Sequence, residues 1–159
     1  LDVAVARKLT ELLRTEDPIL AEEIRNDDDK LDDLHVSVFE KVLSDNWKGE
    51  ATATVDATLA STAESHSRAM ANGNYFDHRD RDGRTPGDRA ELAGYSGMQI
   101  GENIAAGQDS VRKVVDGWLA SPGHCANLMS PTFSELGAGY AVDPKSDAGI
   151  YWTALFGAP

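Results

Sequence analysis

The sequence predicts an α+β domain in which helices flank a small, largely antiparallel β-sheet. Helical periodicity dominates the first hundred residues. Strand-like apolar runs begin only near Ile100. Clusters of Gly, Pro, Asn, Asp and Ser separate the segments. Helices and a sheet with one apolar face each must cover one another, which gives a layered core.

Residues 1–34 read as helical, polar and acidic. Val5, Leu9, Leu12 and Leu13 recur at helical spacing until Asp17-Pro18, where Asp17 is a candidate N-cap and Pro18 a first helical residue. The acidic stretch from Glu22 to Asp33 reads as a solvated helix end and turn. A calcium loop is the competing reading, but Asp27-Asp28-Asp29 lacks the alternating ligands and turn glycine of such loops. Val36, Phe39, Val42 and Leu43 mark a second amphipathic helix that stops at Gly49. A third begins near Asp56, carries Leu59, Ala63, His66 and Met70 on one face, and closes at Asn72-Gly73-Asn74. Thr85-Pro86-Gly87-Asp88 starts a short helix with an N-cap, a proline at the first position and an acid in the first turn; Gly94 stops it.

Ser110 caps a helix that turns Val111, Val114, Val115, Trp118 and Leu119 inward, and Ser121-Pro122 begins another. The expected strands are Ile100–Ala105, Leu136–Val142 and Gly149–Phe156, the last two joined as a hairpin through Asp143–Asp147. No internal repeat interrupts this order.

A chain of 159 residues with 41% hydrophobic residues suits one domain with a real core. No apolar run approaches the roughly 18 residues of a membrane helix, and Leu1-Asp2-Val3 shows no basic, apolar leader. The net charge of -12 argues against nucleic acid and against an anionic membrane surface as partners. Residues 1–50 hold 14 acids and 7 bases, so this front third is the more acidic part. Cys125 is the single cysteine and leaves no intrachain disulfide.

Four stretches, in order, resemble a bacterial CAP domain, the superfamily of cysteine-rich secretory proteins, antigen 5 and pathogenesis-related proteins. They are Thr54–Leu59 leading into His66-Ser67-Arg68-Ala69-Met70; Tyr75-Phe76-Asp77-His78 with Asp82–Arg89 and Ala93-Gly94-Tyr95; Gly101-Glu102-Asn103-Ile104; and Trp118–His124 with Asn127-Leu128 and Gly137–Tyr140. Tyr151–Gly157 resembles the family's last strand. The match spans residues 35–159 and leaves 1–34 as an extension.

The resemblance implies a three-layer α-β-α sandwich and an extracellular or periplasmic location. It also implies an open cavity with two histidines and two acids. His78 and His124 match the histidines and Glu102 the first acid; Ser121 stands where the second acid is expected. Cys125 takes the place of a cysteine whose usual partner is missing here, so a free, buried thiol is expected.

Two imidazoles and a carboxylate suit zinc or another divalent ion, although no such cofactor is required. The residues come from three separate segments, and only the resemblance brings them together. Taken singly, each histidine reads as a hydrogen-bonded structural residue and Glu102 as a carboxylate tied across the sheet edge. Gly101 and Gly123 are expected to let backbones approach the cavity. His124, in the first turn of its helix, is expected to stay neutral. His66 shares a face with Leu59, Ala63 and Met70 and reads as a buried structural histidine.

Other catalytic patterns fail. Gly94-Tyr95-Ser96-Gly97 is too short for a nucleophile elbow, and His124 and Cys125 are neighbours that a helix turns apart. The favoured function is a non-catalytic module, expected as a monomer, that binds a lipid, peptide or cell-envelope ligand. The alternatives are a metal-assisted hydrolase with Glu102 as general base and an interaction protein docking through its acidic extension.

Overall fold

In the computed structural model, residues 53–159 are described. The helices expected within 1–49, and the extension boundary at 34, lie outside them. The chain forms β1 (Thr54–Val55), α1 (Ala57–Gly73), α2 (Pro86–Leu92), β2 (Gln99–Ala106), α3 (Val111–Ala120), α4 (Pro122–Leu128), β3 (Glu135–Val142) and β4 (Ile150–Ala158). The sheet order is β1-β3-β4-β2. Both long pairings are antiparallel, and the two-residue β1 adds a parallel pair that the sequence does not announce.

Local signals place the helices. Asp56 caps α1, its Oδ1 accepting from the Leu59 amide at 2.8 Å, and Asn74 closes the helix in the left-handed conformation at φ 47°. Thr85 and Asp88 form a reciprocal capping box on α2. Ser110 caps α3, which buries Val111, Val114, Val115 and Trp118, with Leu119 only partly covered. The hairpin between β3 and β4 turns through Asp143 and Gly149.

Strand alternation sorts the core into two faces. Leu136, Ala138, Trp152, Ala154 and Phe156 pack with α3 and α4. On the other face Leu59, Ala63, Met70 and Ala71 of α1 pack against Ile104, Ala141, Tyr151 and Leu155. The sheet is thus a layer between helices, the expected α-β-α sandwich. Every residue of β4 from Tyr151 to Gly157 is buried. α1 lies almost in contact with the backbone of β3: a Cβ on Gly137 would stand 2.1 Å from the Ala60 nitrogen, and one on Gly139 2.4 Å from that of Glu64.

Among the described residues β2 is an edge strand, and side chains close its outer edge. Asn127 Nδ2 donates to the Glu102 carbonyl and Trp118 Nε1 to the Ile104 carbonyl, each at 3.1 Å. Asn103 Nδ2 donates to the His124 carbonyl at 3.0 Å, tying α4 to this edge. Cys125 is unpaired but half-buried, not sealed in as expected. The seven-residue α4 buries only Leu128, so its remaining side chains keep some exposure.

Candidate functional site

Because β2 is an edge strand, the surface beside it is reached from both helical layers. A cleft of about 820 Å³ forms there. Ile104, Ala105 and Ala106 of β2 form one wall, Val114 and Trp118 of α3 and His124 of α4 another. The segment after α1 contributes Tyr75, Phe76, Asp77 and His78, and the β3–β4 hairpin contributes Asp147 and Ala148. Ser121 lines the same cleft.

Glu102 lies behind this wall and does not line the open cavity, contrary to expectation. Its side chain is 2% exposed, and both oxygens have partners. Oε1 is 2.7 Å from His78 Nδ1, and Oε2 is 2.5 Å from Arg89 Nη2. The buried guanidinium is the physical reason: a carboxylate this deep needs an opposite charge beside it. Arg89 Nη1 also donates to the carbonyls of His78 at 2.7 Å and Arg84 at 3.1 Å. One side chain of α2 thereby fixes the carboxylate and the backbone of the histidine it contacts.

The contact with Glu102 makes His78 Nδ1 the donor and leaves Nε2 outside that hydrogen bond, in a ring that lines the cleft. The same hydrogen bond raises the His78 pKa above its ordinary 6.5, against the opposing pull of burial. His124 shifts the other way, chiefly through burial and secondarily through the charge of His78. Both effects favour the neutral ring. His66 is 1% exposed, and its Nε2 lies 2.9 Å from the Asp77 carbonyl. Burial lowers its pKa. His66 is therefore the buried histidine the helical pattern anticipated, and it anchors the segment that carries His78.

The structure puts His78 and Glu102 in direct contact and His78, His124 and Ser121 along one cleft. Among the described residues, no group of three or more His, Cys, Asp or Glu side chains is placed to hold a metal ion. A Cβ on Gly101 would meet the Phe133 ring at 2.8 Å, a side chain outside the cleft lining, whereas Gly123 faces open space. Arg89 is the site residue that sequence reasoning missed. It ends the family-like stretch Asp82–Arg89 and is the one base in a helix otherwise read for its cap.

The cysteine-rich secretory protein family, CAP, matches residues 47–156. YkwD of Bacillus subtilis (strain 168) is 37% identical over 102 residues, which are 64% of this chain and 38% of that protein. The chain thus spans about two fifths of that relative's length. An extracellular protein containing an SCP domain from Bacillus anthracis str. Ames superposes with a TM-score of 0.68 at 26% identity, over 90% of this chain and 44% of that one. An outer surface protein from Borrelia burgdorferi shares the fold at a TM-score of 0.67 and 23% identity, over 82% of this chain and 92% of that one. No helix among the described residues is long and apolar enough to cross a membrane. The family match over most of the chain and the sandwich it folds into lead to one conclusion: the chain belongs to the CAP, or cysteine-rich secretory protein, family.

Proposed function

We propose that this domain works outside the cytoplasm as a ligand-binding module, with the cleft along β2 as its site. The observation that carries this reading is the commitment of Glu102. A general base needs an oxygen within reach of the proton it removes. Here one oxygen contacts His78, the other contacts Arg89, and the side chain is 2% exposed. That favours binding over the metal-assisted hydrolase. What lines the cleft is a wall of nearly buried apolar side chains (Ile104, Val114, Trp118, Tyr151) with two imidazoles at one end. Such a surface suits a ligand with an extended apolar body, from a lipid, a peptide or a cell-envelope component. The extracellular description of the Bacillus anthracis relative supports the location.

A divalent ion such as zinc fits only loosely. His78 and His124 are the two imidazoles that line the cleft, with Glu102 holding Nδ1 of the first. Remaining positions would fall to water or to the bound ligand, so modest affinity is expected.

The test is native mass spectrometry with metal analysis, on protein purified without chelators or added metal. Retention of a ligand that competes with cleft-directed probes supports the reading. Turnover of an ester or peptide substrate that disappears in Glu102→Gln, with the fold intact, overturns it.

A further inference from the structure

We propose that the cleft selects a ligand whose apolar body ends in a cationic group, an alkylammonium or guanidinium, and that Asp147 receives that end. This rests on the cleft being a ligand site.

The lining is asymmetric in charge. Among the described residues, its permanently charged side chains are Asp77 and Asp147, with no lysine or arginine. The cleft also has two chemically different ends. In the β2–β4 register Glu102 stands opposite Leu155, and Ala106 opposite Tyr151. Four residues separate these positions, or about 13 Å along an extended strand. The imidazole end lies by Glu102. Asp147 belongs to the other end, where the hairpin enters β4, and its amide donates to Asn74 Oδ1 at 2.8 Å. No ion pair among the described residues takes the Asp147 carboxylate.

A second observation points the same way. Gln108 follows β2 at this end and lines the cleft, and its buried Oε1 has no hydrogen-bond partner among the described residues. A carboxylate and an unpartnered acceptor together call for a positively charged N–H donor. Aromatic walls add to this, because ring faces attract cations. Phe76, at 53% exposure, offers such a ring to the cleft. Arg81 already shows the preference outside the lining: its guanidinium lies 5.1 Å over the Tyr75 ring and contacts the Gly73 carbonyl. Lys145 is on the same hairpin but does not line the cleft. A fatty-acid carboxylate would meet the Asp147 carboxylate and an acceptor there.

The test titrates the full chain with three probes of one length, decylammonium, decanoate and decyl glucoside, each below its micelle concentration. Binding is read by calorimetry and by tryptophan fluorescence, at roughly 0.15 M salt so that attraction to the overall net charge is screened. Decylammonium is expected to bind at least about ten-fold tighter than decanoate, since juxtaposed like charges are costly. Asp147→Asn should shrink that preference to about two-fold, while Glu91→Gln, on α2 away from the cleft, leaves it intact. Decanoate binding as tightly as decylammonium, or a preference unchanged in Asp147→Asn, overturns the cationic assignment and leaves the cleft a ligand site. Failure of all three probes to bind overturns that reading as well.

Discussion

Arg89 Nη2 and Glu102 Oε2 stand 2.5 Å apart, in side chains 9% and 2% exposed. The pair joins α2 to β2 behind the cleft and sets the orientation of His78. Arg89→Met strands the buried carboxylate, with an expected stability loss of about 3 kcal/mol. Arg89→Lys should fall between, because one ammonium cannot serve the carboxylate and two carbonyls in the same fork geometry. Urea unfolding of both variants and of Arg89→Met/Glu102→Leu measures this. A double variant no more stable than Arg89→Met would show that the lone carboxylate is not the source of the loss.

The histidines should separate cleanly by role. His66→Ala opens a hole beneath the segment carrying His78 and is expected to cost about 2–3 kcal/mol. His124→Ala should change stability by less than about 0.5 kcal/mol, as for most partly exposed positions. For zinc the order inverts: His78→Ala and His124→Ala each lose binding, while folded His66→Ala keeps it. Melting curves with calorimetric zinc titration check both halves. Zinc binding by His78→Ala equal to the parent's would return that residue to a purely structural role.

The two shifted histidines make opposite pH signatures. The His78 pKa is raised in the fold, so its ion pair with Glu102 stabilises below about pH 6.5 and is lost as pH rises through the folded value. The penalty of His78→Ala should therefore be larger at about pH 5.5 than at about pH 8, by less than about 1 kcal/mol, because water screens a half-exposed imidazole. His66 prefers to be neutral, so its contribution is complete above about pH 6.5 and fades as pH falls toward its lowered value. His66→Gln should flatten that acid limb. Chemical unfolding across this range decides; a His78→Ala penalty independent of pH contradicts the ion pair.

Glycines give a matched contrast. Gly137→Ala would force a methyl group to 2.1 Å from the Ala60 nitrogen on the helix backbone. Nothing flexible lies there to yield, so a loss above about 3 kcal/mol, or no folded protein, is expected. Gly123→Ala, inside α4 and facing open space, should be neutral or stabilising by up to about 1 kcal/mol. Thermal melts of the two variants test the pair.

Much of the fold was legible because its signals are local. Asp56, Thr85-Pro86 and Ser110 announce helix starts through capping chemistry, and the short apolar runs Leu136–Val142 and Gly149–Phe156 between turn residues announce strands. β1 was not legible, since two residues carry no period and its pairing depends on where β3 happens to lie. For the site, family-like stretches located His78, Glu102, His124 and Ser121, but nothing in them tells which side of the wall each occupies. Arg89 decides that for Glu102 from thirteen residues away in sequence, and no helical or strand period links the two.

The sealed edge of β2 has a consequence for assembly. An open strand edge is a template for another chain, and here the carbonyls of Glu102 and Ile104 already accept from Asn127 and Trp118. A neighbouring molecule can extend this sheet along β2 only by displacing both donors. Sheet-to-sheet polymerisation from that side is thus blocked by the same tryptophan that walls the cleft. Copies of this domain can crowd together at a surface without zipping into fibres along the strand that carries their site.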